Sequence, residues 1–200
     1  MGKMGKMEMR RQLFHATVGI AIVALIYLDV LKWWGLLTIL AAGSVLILLS
    51  RKYRVPIIYW FLKRFERPEV MEIFPGKGSF FFVLGAFVVV LIFDKSIAMA
   101  SIVICALGDS LSHLVGELVG RVKHPFSNTK FIEGHIVGAI AGALGAMLFV
   151  SPLTALVAAS IAMFVEGIDI EFRMSWVLDD NLIVPLTAGI VMFLIGFIGF

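Results

Sequence analysis

The chain is short of charge, cysteine and long polar connections. Of its 200 residues only 16% are charged and 60% are hydrophobic, and the mean hydropathy is +1.02. Soluble domains seldom approach that balance, so the composition excludes an ordinary soluble protein and indicates an integral membrane one. The single cysteine, Cys105, excludes an internal disulfide and reads as an apolar helix residue. No polar stretch exceeds 51–77, so no separate soluble domain is expected. The motifs of soluble catalysis are missing too: no G-x-x-x-x-G-K-[ST], H-E-x-x-H, cysteine metal cluster or G-x-S-x-G occurs. A P-loop kinase, a zinc protease and a serine hydrolase are therefore unsupported. There is no low-complexity segment and no tandem repeat of the inverted-transporter type.

What is present is a series of apolar runs. A spanning helix needs about 20 mostly apolar residues. Seven candidates occur, at about 12–31, 34–50, 78–93, 96–120, 131–150, 151–168 and 182–199. The second and third are short, which predicts tilt or local thinning. No small-residue cleavage site follows the first run, which reads as a retained helix. The expected fold is thus an all-α, multi-pass membrane protein forming one polytopic domain over 1–200.

Charge placement orients it. Lys3, Lys6, Arg10 and Arg11 precede the first run, and Arg51, Lys52, Arg54, Lys63, Arg64, Arg67 and Lys77 lie between the second and third. Arg121, Lys123 and Lys130 follow the fourth, and Arg173 follows the sixth. With seven spans all of these share one side, leaving Lys32 and Lys95 opposite. The positive-inside rule makes the crowded side cytoplasmic, with the N-terminus in. The net charge of +3 is then an orientation signal with some attraction to anionic headgroups, not a sign of nucleic-acid binding.

Residues 55–72 mix aromatics and basic residues over too short an apolar length to span, and read as an amphipathic helix in the cytoplasmic interface. Gly134, Gly138 and Gly142, with Gly145 and Ala146, form a small-xxx-small stripe that fits close helix packing.

The run 108–121 interrupts this pattern. It carries Asp109, Ser110, Ser112, His113 and Glu117 inside an apolar segment, with Gly116, Gly120 and Arg121 following the same face or end. An ionisable group in a span costs at least about 2.5–3.5 kcal/mol and marks a site by default. Asp109 lies about 18 Å along a helix from Arg121, at about 1.5 Å per residue. Either the helix is broken near Gly108 or a polar cavity reaches Asp109. Further acidic groups gather near the same surface: Glu133, Glu166, and Asp179-Asp180-Asn181. Among them stand Arg11 and His15, four residues apart, with Lys77, Arg121, Lys123 and Lys130. Carboxylates, an amide and cations are the equipment of a magnesium–polyphosphate site. Each also has a plainer role: Asp180 as an N-cap, Glu133 at a helix dipole, Lys77 and Glu166 reaching to the surface.

At these residues the sequence resembles the CTP-dependent lipid kinases: dolichol, phytol and other polyprenol kinases and the yeast-type diacylglycerol kinase. The matching blocks are Arg10-Arg11-x3-His15-x3-Gly19, Pro75-Gly76-Lys77-Gly78-Ser79, Gly108-Asp109-Ser110-x5-Gly116-x3-Gly120-Arg121, Lys130-x2-Glu133-Gly134, and Glu166 followed by Asp179-Asp180-Asn181-Leu182-x2-Pro185-Leu186. Phe131 and His135 depart from it, standing where a small hydroxylated residue is commoner, and Ser112 stands where alanine is commoner. The resemblance implies transfer of the γ-phosphoryl of CTP to a membrane-resident alcohol with a divalent metal such as Mg2+, at a cytoplasm-facing site in the cell membrane. Asp109 would be the catalytic base or a metal ligand, and Glu133, Glu166, Asp180 and Asn181 would organise the metal. The nucleotide would meet Arg11, His15, Lys77, Gly108, Ser110, Gly116, Gly120, Arg121, Lys130 and Gly134. The expected partners are CTP, a lipid alcohol and membrane lipids. A CTP:phosphatidate cytidylyltransferase-like enzyme is the neighbouring alternative, and an ion- or proton-coupled transporter a more distant one.

Overall fold

The computed structural model describes residues 5–53, 56–168 and 179–198; Lys3, Arg54 and Arg173 lie outside them. Among the described residues the chain is helical throughout, with one isolated antiparallel bridge between Lys123 and Phe131. Its elements are α1 (Lys6–Tyr27), α2 (Trp33–Lys52), α3 (Pro56–Phe65), α4 (Pro68–Ile73), α5 (Lys77–Ile92), α6 (Lys95–Val103), a π-helical turn (Ile104–Asp109), α7 (Ser110–Val119), α8 (Ile132–Ala146), α9 (Pro152–Glu166) and α10 (Asp180–Ile198). Among the described residues four helices are long and apolar enough to cross a membrane: α1, α2, the continuous Lys95–Val119 unit and α10. The apolar helices α5, α8 and α9 are shorter.

Several boundaries differ from the sequence expectation. The first helix starts at Lys6, not near 12, because Glu8 takes up the polar residues of its first turns: Arg11 and Gln12 both donate to its Oε1, at 2.6 and 2.9 Å. It stops at Tyr27 in a Schellman motif. Val30 N–H returns to the Leu25 carbonyl and Asp29 N–H to that of Ile26, with Asp29 in the left-handed region at φ 58°. The second run is not short: α2 has 20 residues. The fifth and sixth runs are shorter than expected, because Ser151 caps α9 through a bond from Thr154 N–H and Pro152 occupies the first helical position. That start forces the turn at 147–150 out of both helices. The amphipathic helix expected over 55–72 is two helices. Arg67 precedes Pro68 and is extended (φ −70°, ψ 139°), as a residue before proline prefers.

The core is built on small residues. Ala143, Ala146, Ala155, Ala158, Ala159, Ala162 and Ala188 are fully buried where α8, α9 and α10 meet. Gly138 brings α8 onto the π turn so closely that a Cβ there would lie 2.5 Å from the Gly108 carbonyl oxygen. Association inside a bilayer relies on such close contact, because lipid tails remove the hydrophobic drive between helices. On the other side Gly19 of α1 packs on Ala106 of the π turn, where an added Cβ would meet the Ala106 Cβ at 2.3 Å. Large side chains such as Leu144, Leu148, Leu153 and Phe197 point outward and are exposed. At one end of the bundle Lys95 Nζ donates to Asp29 Oδ1 at 2.7 Å. The remaining ion pairs among the described residues gather around α4, α7 and the starts of α5, α8 and α10.

Candidate functional site

Asp109 is the last residue of the π turn and is buried. A π turn is wider than an α turn and tends to mark functional positions. Here it re-aims the helix at the point where its apolar half ends. Both accommodations open to Asp109 in the sequence are realised: the α-helical pattern is broken, and a cavity of about 500 Å³ reaches the carboxylate. Two imidazoles flank it. His113, one turn on, has Nε2 3.4 Å from Oδ1, and His15 of α1 has Nε2 3.8 Å from Oδ2. The close seat of α1 at Gly19 is what brings His15 there, with its ring 4.4 Å from that of Phe82.

Lys130 forms the opposite wall. The segment before it folds back on itself: His124 N–H bonds the Lys130 carbonyl, Ile132 N–H bonds that of Val122, and Ser127 Oγ accepts from the N–H groups of Thr129 and Lys130 at 3.1 and 3.0 Å. Held in this way, Lys130 Nζ reaches the Glu166 carbonyl, stands 2.8 Å from Glu166 Oε1, and donates to Asp180 Oδ2 at 2.9 Å. Burial works against the ammonium, yet the Glu166 and Asp180 carboxylates outweigh it and hold Lys130 above the ordinary lysine range. Glu166 is 0% exposed, so it does not reach the surface. Its second oxygen stands 2.6 Å from His135 Nε2, and a buried carboxylate needs such partners.

The rim is cationic and is fixed by one acid. Glu8 binds Arg11 through Oε1 and Arg67 through Oε2, the latter at 3.3 Å, so α1 and the start of α4 are tied together. Glu66 lies beside them, its carboxyl raised by burial despite the opposing charge of Arg11. Lys77, at the start of α5, approaches Asp179 Oδ2 at 3.5 Å. Asp179, not Asp180, caps α10: its Oδ1 accepts from the Asn181 N–H at 3.1 Å and the Asn181 Nδ2 at 2.7 Å. That leaves Asp180 turned to Lys130.

Of the residues singled out in the sequence, Arg11, Lys77, Asp109, Gly116, Lys130, Asp180 and Asn181 line the cavity together. His15 lines a smaller adjoining pocket that shares Asp109, and Glu166 stands directly behind Lys130. Others have different surroundings. Gly108 packs toward Met163 and Gly138, Gly120 against the Phe131 ring, and Gly134 against the Ser112 carbonyl. Ser110 Oγ donates to the Gln12 carbonyl at 3.1 Å. Arg121 is exposed, and its N–H and that of Val122 bind Glu133 Oε1 at 3.0 and 3.1 Å. Glu133 therefore closes the 120–132 connection. The cavity also gathers His113, Glu117 and Asp179, which the sequence places in the polar constellation without a site role, and Glu66 and Arg67, which it does not single out. His113 had the clearest signal, being one turn from Asp109 on the same face; for Glu66 and Arg67 only the tertiary fold brings them in.

The donor set suits a divalent cation. Asp109, His113 and Glu166 each offer a ligand atom, and those atoms lie within 4.8 Å of one another. Two carboxylates with an imidazole hold Mn2+- or Zn2+-type ions readily, and Mg2+ with retained waters and phosphate oxygens. The chemistry open to the site is thus anion binding by Arg11, Arg67, Lys77 and Lys130 beside a buried carboxylate and a cation position.

Comparison with known proteins gives one match over nearly the whole chain and one partial match. The chain is 29% identical to an uncharacterised protein of Methanocaldococcus jannaschii over 188 residues, 91% of this chain and 93% of that one. It is 22% identical over 136 residues to the CTP-dependent diacylglycerol kinase 1 of Schizosaccharomyces pombe. That match covers 60% of each protein, so the chain spans well under two thirds of the yeast kinase's length. No family model and no solved structure matches the chain. A distant relative that is a lipid kinase, together with the apolar helices, supports a membrane protein of the lipid-kinase kind.

Proposed function

We propose that this chain is a CTP-dependent lipid-alcohol kinase, one polytopic domain with seven spans, its N-terminus and its site on the cytoplasmic side of the cell membrane. The observation that carries the reading is the position of Asp109. It is shared by the charged cavity of about 500 Å³ and by a pocket of about 100 Å³ whose apolar side is Phe14, Val18, Phe65, Phe82 and Val83. The first has the size for a nucleotide polyphosphate, within the roughly 300–1,000 Å³ of small-molecule sites, and its lining sets Arg11, Arg67, Lys77 and Lys130 among the carboxylates of Glu66, Asp109, Glu117, Asp179 and Asp180. The second suits an alcohol borne on hydrocarbon. The resemblance of the five sequence blocks and the similarity to the diacylglycerol kinase support CTP as donor. The crowding of basic residues at one end supports the orientation. Seven spans require α5, α8 and α9, of 15–16 residues, to cross where the bilayer thins, since each is only about 22–24 Å long.

In this mechanism Arg11, Arg67, Lys77 and Lys130 bind the triphosphate and neutralise charge on the moving phosphoryl group. The alcohol oxygen bonds the γ-phosphorus as the bond from that phosphorus to the β,γ-bridging oxygen breaks, and CDP leaves. Asp109 accepts the hydroxyl proton and returns it to solvent, with the His15 and His113 rings flanking its carboxylate. A divalent cation held by Asp109, His113 and Glu166 would add further charge neutralisation at the phosphates.

The test is purified protein with γ-labelled CTP and a panel of lipid alcohols. Label on the lipid with release of CDP is expected. Pyrophosphate release with cytidylyl on the lipid would instead establish a cytidylyltransferase, and Asp109-dependent ion flux in liposomes without CTP turnover would establish a transporter.

A further inference from the structure

The small pocket at Asp109 adjoins a second, apolar one. Ser79 and Val83 of α5 line it, and the same two residues line an apolar groove of about 190 Å³ between α2, α3 and α5. Leu40, Gly43, Ile47, Leu62 and Phe80 are among its other lining residues. At the junction stands an aromatic cluster: Phe14 is 5.1 Å from Phe61 and 4.9 Å from Phe65. Phe61 faces the groove, whereas Phe14 and Phe65 face the pocket.

α2 is the least embedded of the long apolar helices, with 11% of Trp33–Ser50 buried, so one groove wall is a helix that contributes little to the core. Size alone does not single the groove out. A larger apolar depression of about 540 Å³, lined by Ile20, Ala24 and Leu148 among others, shares no lining residue with either pocket at Asp109. What distinguishes the α2–α3–α5 groove is that it shares Ser79 and Val83 with the pocket at Asp109.

We propose that the hydrocarbon of the acceptor lies in this groove, enters the pocket between Phe14, Phe65 and Phe82, and presents its hydroxyl to Asp109. This rests on the kinase reading of the site and narrows it. The pocket at Asp109, about 100 Å³ with three rings on its wall, has room for one chain and not two. A single-chain primary alcohol threads it, whereas a two-chain glycerolipid must leave an acyl chain among the charges of the larger cavity. The acceptor class is therefore the single-chain lipid alcohols, isoprenoid or aliphatic, ahead of diacylglycerol.

Gly43 supplies the probe, because a Cβ built there meets nothing within 4 Å and a larger residue grows into the groove without disturbing the fold. Full-length protein in nanodiscs is photolabelled with a long-chain primary alcohol bearing a terminal diazirine, and the labelled peptides are mapped. Label is expected on α2, α3 and α5, displaced by unlabelled single-chain alcohol. G43F should cut it about tenfold or more, whereas A24F, in the separate depression, should leave it unchanged. In turnover, G43F should raise KM about tenfold for long-chain alcohols and leave short-chain alcohols unaffected, a shift of ~1.4 kcal/mol in binding. Labelling on α1 and α8 instead, indifference to G43F, or a preference for diacylglycerol would overturn the groove assignment. Specific groove labelling without phosphoryl transfer from CTP would overturn the kinase reading and keep the groove.

Discussion

Asp109 Oδ1 stands 3.4 Å from His113 Nε2, one turn further along the same helix, where the π turn gives way to α7. On the proposed mechanism this carboxylate accepts the acceptor's proton. Asp109→Asn keeps the shape and removes the base. Turnover of labelled CTP with a lipid alcohol should fall by roughly 10²–10⁴-fold, the usual size of general-base catalysis, while the purified protein stays monodisperse. Full activity in that variant would remove Asp109 from the mechanism.

Glu166 is fully buried, and Lys130 Nζ at 2.8 Å is its nearest cation. Lys130→Met leaves that carboxylate without it. Breaking such a pair from one side costs about 3–5 kcal/mol, so thermal unfolding in detergent should drop well below wild type. Lys130→Met combined with Glu166→Gln should recover part of the loss, since the unpaired charge is gone.

The pH dependence of that loss has a defined sign. Lys130 is raised in the folded state by Glu166 and Asp180. Its contribution is therefore complete below the unfolded lysine value of about 10.4 and is lost only as pH rises from there through the folded value. The difference in melting temperature between wild type and Lys130→Met should be flat from neutral pH to about 10 and should shrink above it. A difference that vanished between pH 6 and 8 would contradict the assignment.

Metal dependence separates His113 from Glu133. Chelation should abolish transfer, and His113→Ala should raise the divalent concentration for half-maximal activity about tenfold or more, the lower end of what a lost ligand costs. Glu133→Gln should leave that concentration unchanged, because its carboxylate faces the Arg121 and Val122 amides. An equal effect of both substitutions would argue against the Asp109–His113–Glu166 donor set.

Two glycines of α8 differ in how closely they are packed. A Cβ at Gly138 would lie 2.5 Å from the Gly108 carbonyl oxygen, whereas one at Gly142 would lie 3.3–3.5 Å from Ile104. Gly138→Ala should destabilise by about 1–3 kcal/mol through forced separation of α8 from the π turn, and Gly142→Ala by clearly less. Melting curves of the two variants in one detergent decide it.

Much of this architecture is legible in the sequence because hydropathy and charge are global signals. The apolar runs all became helices, and the small-residue stripe 134–146 lies in a tight helix contact. Asp109, Lys77, Lys130 and Asp180 meet in one cavity because unpaired ionisable groups in an apolar chain have few other places to go. What escaped is local or tertiary. The stop at Asp29 depends on a left-handed residue that is not glycine, and the split at Arg67 on the conformation imposed by Pro68. Asp179 and Asp180 are adjacent carboxylates, and only the start of α10 decides which caps it and which faces Lys130. Glu133 lies close in sequence to Lys130, yet the folded-back connection turns it to backbone amides. The π turn has no sequence mark beyond Gly108.

That turn also sets how the chain tolerates changes in length. Each helical residue advances the phase by about 100°. Removing one residue from 104–109 would return the segment to α-helical winding while leaving the apolar half seated against α1 and α8. Five residues at α-helical winding turn through about the same angle as six at the wider π winding, so Asp109 and His113 would keep their facing toward Lys130 and Glu166. A one-residue deletion in this stretch therefore leaves the aim of the carboxylate unchanged, whereas one in the α-helical winding that follows Ser110 would turn everything beyond it by about 100°.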